Sequence, residues 1–239
     1  MEQIRQGLTK LRLSGMTQCL KTLEETRRAD SLSLKDGLML LLQAEQDRRE
    51  SNRYERLLKN AAFRYRASVE ELSFDQSRGL EEMRVLSLAT GNYIKNGEAV
   101  LITGAAGCGK SFLASALGAQ ACRQGYTVAY YNMQKLARSL KVARVEGTII
   151  RLFEKLAKIE LLIMDDFGLA KMENQQQLDF MEIIEDRHAR KATVIASQLP
   201  VTEWFDIFSD ETLADSIIDR IVYTSHRFEL IGDSLRKKR

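Results

Sequence analysis

Gly104-Ala105-Ala106-Gly107-Cys108-Gly109-Lys110-Ser111 fits the pattern G-x-x-x-x-G-K-[S/T] and is followed by Phe112. These residue types at this spacing suit one task, the cradling of a polyphosphate. Glycines let the backbone curl close to an anion, so that successive N–H groups and the first turn of a following helix face it. The lysine can bridge β- and γ-phosphates, and the serine hydroxyl is a ligand for Mg²⁺. Residues 104–112 are therefore the expected nucleotide-binding stretch, with Lys110 also catalytic and Ser111 a metal ligand. Cys108 is read through its backbone; its thiol is incidental, although bulky alkylation there should obstruct the nucleotide.

A second candidate constellation is Leu161-Leu162-Ile163-Met164-Asp165-Asp166, an apolar run ending in paired carboxylates. Asp165 is placed to hold Mg²⁺ through its water shell, and Asp166 to polarise an attacking water. Two acids at a strand end would mean little alone. With the glycine loop upstream and a complete strand–helix unit between them, they read as the other half of an ATP-hydrolysing site.

A third is a helix over residues 132–146 carrying Lys135, Arg138, Lys141 and Arg144, with Leu136, Leu140 and Ala143 between. At about 100° per residue the apolar three cluster on one side and the cations spread over the opposite half. Nearly uncompensated cations on one face suit phosphate tracking along DNA, although a soluble surface helix has the same look. The mixture of Arg48, Arg49, Arg53, Arg56, Lys59, Arg64 and Arg66 with Tyr54, Phe63 and Tyr65 poses the same choice between phosphate or base contact and a solvated helix face. The closing Arg236-Lys237-Lys238-Arg239 adds a basic cluster that reads as a solvated end beyond Arg236.

The elements that must position these groups are legible as pattern. Ala99–Thr103, Thr127–Tyr131, Leu161–Asp165 and Thr193–Ser197 are short apolar runs alternating with helical segments, which predicts parallel strands with right-handed crossovers. Before them, residues 1–68 repeat leucines at three- and four-residue steps and predict an all-helical domain, with Leu38–Leu42 as a piece of helix core. Ser33 with Asp36 resembles a capping box, and Ser68 with Glu71 marks a second helix start or boundary. The domain boundaries expected are 1–68 and 69–239.

Composition narrows the class. The chain has 239 residues, is 44% hydrophobic and 29% charged, and has a net charge of +3. That excludes a disordered polar chain, and no apolar run approaches the ~20 residues of a membrane span. Met1–Arg5 leads into no apolar signal segment, so the expected location is cytoplasmic. Three unpatterned cysteines and two isolated histidines suggest neither disulfides nor zinc.

The phosphate loop and acidic strand, together with Asp165-Asp166-Phe167-Gly168-Leu169, Ser197-Gln198-Leu199-Pro200-Val201, Ala214–Arg220, Gly232–Lys237 and the N-terminal Leu11-Arg12-Leu13-Ser14-Gly15-Met16, resemble the IstB proteins. These are AAA+ helper ATPases of bacterial insertion sequences, kin of DnaC-type helicase loaders. The resemblance covers nearly the whole chain. It implies an α/β P-loop NTPase fold of AAA+ type, ATP and Mg²⁺ as cofactors, homo-oligomers with nucleotide at subunit interfaces, duplex DNA as ligand and a cognate transposase as partner. It further implies that Ser197 is a sensor-one residue, Arg220 an arginine finger for a neighbouring subunit and Arg236 a sensor-two residue.

On the residues alone, Arg220 has a surface ion pair as its plain alternative, and Arg187 is a rival finger. Asp166 departs from the glutamate usual in AAA+ enzymes. Its shorter side chain implies slow intrinsic hydrolysis, with ATP acting largely as an assembly switch. The expected function is an ATP-dependent transposition helper on duplex DNA. A helicase loader on single strands, a small-molecule kinase and a non-catalytic scaffold are the alternatives.

Overall fold

Strands covered on both faces have no need to alternate polar and apolar residues, and the middle of this chain obeys that rule. In a computed structural model, which describes residues 2–28 and 31–235, the chain divides into two compact units, Met1–Arg56 and Leu57–Arg239. Residues 57–68, grouped by sequence pattern with the helical domain, lie in the second unit.

The first unit contains α1 (Glu2–Lys10), α2 (Ser14–Glu25) and most of α3 (Leu34–Ala61). At the start of α3, the Ser33 hydroxyl accepts the Asp36 N–H at 3.2 Å and donates to the Asp36 carboxylate at 2.6 Å, which satisfies an otherwise orphaned helix donor. The start of α2 is capped from a distance. Buried Glu45 accepts the Gly15 N–H at 2.7 Å and the Met16 N–H at 3.3 Å, a carboxylate set at the positive end of a helix. The Arg49 guanidinium, with those two amides, holds the Glu45 carboxyl below its ordinary value against the opposing effect of burial.

This cap explains Gly15. A Cβ there would stand 2.3 Å from the Ala44 carbonyl oxygen, so α2 and α3 can approach this closely only without a side chain. Gly15→Ala is expected to destabilise the N-terminal helices by about 2 kcal/mol. Thermal unfolding of the full chain followed by circular dichroism should show a lowered or separate helical transition.

The Leu38–Leu42 run departs from the core expectation, since Leu38, Met39, Leu40 and Leu42 are all exposed. A helix with leucines at nearly consecutive positions cannot turn all of them to one side.

The second unit opens with short 3₁₀ turns and α4 (Glu82–Ala89) and α5 (Asn92–Asn96), the Ser68–Glu71 capping box starting the first turn. There follow β1 (Ala99–Gly104), α6 (Lys110–Arg123), β2 (Val128–Asn132), α7 (Met133–Val145), α8 (Ile149–Lys158), β3 (Leu161–Phe167), α9 (Asn174–Arg187), β4 (Ala192–Ser197), α10 (Glu211–Val222) and β5 (Ser225–Leu230). The five strands form a parallel sheet in the order β2-β3-β4-β1-β5. β5 is the strand the sequence pattern misses. It is an edge strand in which only Phe228 and Leu230 are buried, so it has no apolar run to announce it.

Behind the sheet, Phe167 packs against Phe180 and Trp204 at ring-centroid distances of 5.4 and 4.7 Å. Burying each such side chain contributes roughly 1.5–3 kcal/mol. The consequence for function is positional: the ends of β1 and β3 lie at the same edge of a rigid sheet, where ligands of open α/β folds bind.

Candidate functional site

The glycine loop leaves β1 and enters α6 at Lys110. Gly104, Gly107 and Gly109 all take positive φ (142°, 85° and 111°), a conformation that side-chain-bearing residues rarely adopt. The buried Lys110 ammonium donates to the Gly104 and Ala105 carbonyls, each at 2.7 Å, so its charge is held over the loop. The segment after β5 crosses the same loop, the Leu235 N–H donating to the Gly107 carbonyl at 3.0 Å. Arg236, the sensor-two candidate, follows directly and lies outside the described residues.

At the end of β3, Asp165 is fully buried and Asp166 stands at a register shift between β3 and β4. Asp166 has φ +59°, the left-handed region in which aspartate is far better tolerated than most side chains. That gives a backbone reason for Asp in place of Glu. Its N–H donates to Asp165 Oδ1 at 2.9 Å, fixing the two carboxylates relative to each other.

Three side chains meet these carboxylates. The Tyr130 hydroxyl on β2 donates to Asp165 Oδ2 and lies close enough to the Ser111 hydroxyl to interact with it. Burial, and then the hydrogen bond to Asp165 and the charge of that carboxylate, push the Tyr130 phenol well above its usual value, so it remains a donor. Asn132, the last residue of β2, donates from Nδ2 to Asp166 Oδ2 at 2.8 Å, while its Oδ1 accepts the Lys135 N–H and caps α7. Arg64 Nη1 lies 3.1 Å from Asp166 Oδ2 and 3.4 Å from Asp165 Oδ2.

None of these three roles has a local sequence signal. Tyr130 reads as strand, Asn132 as a helix start and Arg64 as one of many cations.

Ser111 and Asp165 share one tyrosine hydroxyl, so a hydroxyl and a buried carboxylate lie within a few ångströms of each other beside the phosphate loop. An all-oxygen donor set of this kind fits Mg²⁺, which takes few protein ligands and keeps waters and phosphate oxygens. The chemistry available is phosphoryl transfer to water.

The remaining predicted residues are distributed more widely. Ser197, fully buried, donates to the Phe167 carbonyl at 2.8 Å and accepts the Leu199 N–H at 3.1 Å, tying the end of β4 to the end of β3. Arg220 pairs with Glu185 at 2.7 Å and bonds Ser216, beside Gly97 and Ala99 at the opposite end of β1 from the phosphate loop. Six strand residues separate those ends by about 17 Å.

Arg187, the rival finger, is 1% exposed. Its guanidinium donates to Thr193 Oγ1 at 3.1 Å and to the carbonyls of Leu156 (2.6 Å), Ile159 (2.8 Å) and Ala192. It is an internal bolt, its guanidinium spent on partners within its own chain. Burial pushes its pKa down to about 9.

On α7, Lys135, Arg138 and Lys141 are exposed and form no ion pair among the described residues. Arg144 departs from the expectation of an uncompensated cation. It pairs with buried Asp179, which α9 brings within reach of the last turn of α7.

Comparison with known proteins agrees with this geometry. The IstB-like ATP binding protein family matches residues 6–239. An insertion-sequence ATP-binding protein of Sinorhizobium fredii is 37% identical over 230 residues, 96% of this chain and 94% of its own. That of IS1162 from Pseudomonas fluorescens is 40% identical over 194 residues, 81% of this chain and 84% of its own. Among solved structures, the DnaC helicase loader superposes with a TM-score of 0.60 at 19% identity, over 69% of this chain and 97% of that one. DnaA bound to AMPPCP and single-stranded DNA gives 0.59 at 22%, over 70% and 50%. No helix among the described residues is long and apolar enough to cross a membrane. With a family profile running from residue 6 to the C-terminus, a phosphate loop and paired carboxylates on the DnaC-like sheet, this chain belongs to the IstB-like ATP-binding proteins of insertion sequences and is an ATPase.

Proposed function

We propose that this protein assembles on duplex DNA in an ATP-dependent manner, presents that DNA to a cognate transposase and uses hydrolysis to control the assembly. The observation that carries the reading is Asn132. One side chain donates to Asp166 and caps α7, the helix whose outer face carries Lys135, Arg138 and Lys141. Phosphate contact on that face therefore bears on the carboxylate that orients the attacking water. Lys110 binds the β- and γ-phosphates, Ser111 and Asp165 hold Mg²⁺, which neutralises phosphate charge when bound, and Ser197 keeps the two strand ends in register.

Arg220 lies at the far end of the sheet from its own phosphate loop, which suits presentation to a second subunit's nucleotide. Release from Glu185 on assembly would free it. An arginine supplied in trans can contribute 10³–10⁵ in rate, so turnover follows oligomerisation.

The test is equilibrium binding of fluorescent duplex and single-stranded DNA of equal length, with ATP, with ADP and without nucleotide, at several salt concentrations. Tighter duplex binding with ATP is expected. Replacing Lys135, Arg138 and Lys141 together by Ala should lower the log–log salt slope by about 2–3, since each phosphate contact contributes close to 0.9. A single-strand preference would favour the helicase-loader reading, and an unchanged slope would remove α7 from the DNA interface.

A further inference from the structure

We infer that Arg64 is a built-in counter-ion that competes with the divalent cation for Asp165 and Asp166, so that loading of the metal–nucleotide complex expels Arg64 from the site. The inference rests on the ATPase reading of that site and adds a residue outside the phosphate loop and acidic strand.

Arg64 is placed there by packing. The chain leaves α3 through Ala62 in a left-handed conformation (φ +55°), and Phe63 then seats its ring on α6. A Cβ on Gly118 would stand 2.4 Å from that ring, so only glycine admits it. Phe63 also meets Tyr130 edge-on, with ring centroids 6.3 Å apart. With Phe63 anchored on both sides, the next residue falls beside the carboxylates.

The oxygens Arg64 engages are the informative detail. It contacts Oδ2 of both aspartates, the same Asp165 oxygen that accepts from Tyr130 and the same Asp166 oxygen that Asn132 holds. Asp165 Oδ1 is occupied by the Asp166 N–H, which leaves Oδ2 as the oxygen facing a cation. Lys110 is spent on loop carbonyls, so Arg64 is the only cation among the described residues that is paired with these two acids.

A guanidinium and a divalent ion at the same pair of oxygens repel each other at close range. Two ligands that exclude each other are linked reciprocally, so cation loading frees the Arg64 side chain and holding that side chain on the carboxylates opposes cation loading. Departure costs little. The Arg64 side chain is 41% exposed, its hydrogen bonds among the described residues go only to these two carboxylates, and water can replace them.

The experiment measures binding of a fluorescent ATP analogue to the full chain while Mg²⁺ is titrated from an EDTA-buffered start, for the wild type, Arg64→Gln and Arg64→Lys. Arg64→Gln is expected to lower the half-saturating Mg²⁺ concentration about tenfold, within the usual range of coupling between linked sites, with metal-free nucleotide affinity unchanged. Arg64→Lys, which keeps the charge, should remain near the wild type. In parallel, tryptic cleavage after Arg64, followed by mass spectrometry, should accelerate when Mg²⁺ and AMPPCP are both present. Nucleotide binding with the same Mg²⁺ midpoint in the wild type and Arg64→Gln would overturn the counter-ion role and leave the ATPase reading intact. No nucleotide binding by the wild type at any Mg²⁺ concentration would overturn both.

Discussion

Lys110→Ala is expected to weaken ATP binding by about 10²–10⁴-fold and to abolish measurable hydrolysis. Among the described residues the ammonium is the cation seated on the phosphate loop, where it donates to the Gly104 and Ala105 carbonyls at 2.7 Å. Moving from those carbonyls to two phosphate oxygens exchanges dipoles for full charges. Charge-assisted hydrogen bonds contribute about 1.5–3 kcal/mol each, and two of them account for the loss expected. Titration with a fluorescent ATP analogue, beside a steady-state phosphate-release assay, measures both quantities. Asp166→Asn is the matched control. It keeps the left-handed backbone at φ +59° and leaves one amide oxygen, Oδ1, to accept the hydrogen bond from Asn132, so nucleotide binding and ATP-dependent assembly should survive while turnover falls. Loss of assembly in both variants would mean that Asp166 is part of the nucleotide site itself.

The second large effect concerns stability. Arg187→Met should destabilise the sheet-bearing unit by about 3–5 kcal/mol, because the guanidinium, itself 1% exposed, satisfies three carbonyls and a hydroxyl. Methionine fills much of the volume and supplies no donor, leaving the carbonyls of Leu156, Ile159 and Ala192 without that partner. For a unit of this size the melting temperature should fall on the order of 10 °C. Differential scanning calorimetry measures it. ATPase activity per folded molecule at low temperature should be retained, whereas loss of turnover without loss of stability would restore Arg187 as the arginine finger. Arg220→Ala should show that converse pattern, since its pair with Glu185 is partly exposed and adds little stability.

Much of the molecule is determined locally. The glycine loop, the strand ending in Asp165-Asp166, the α6 and α7 helices and the Ser33 and Ser68 caps are all specified by residues near one another in the chain, where short-range sterics and periodicity govern. Buried parallel strands are equally plain, because they must be apolar on both faces. β5 escapes for the opposite reason: at the sheet edge only two of its six residues are buried.

Tertiary structure decided the rest. Arg187 and Arg220 lie on similar amphipathic helices, and nothing local tells which is enclosed; the packing of α9 against β4 and α8 buries one and leaves the other accessible. Arg144 looks as free as Lys141 until α9 brings Asp179 to it. Arg64 stands about a hundred positions before the carboxylates it meets, and only the seat of Phe63 on Gly118 brings them together. Which chemistry is possible was therefore written in contiguous motifs, since phosphate and metal are bound by groups a short loop can gather. Which charges are free to use it was settled by packing, because the fate of a long cationic side chain depends on what distant elements bring within its reach.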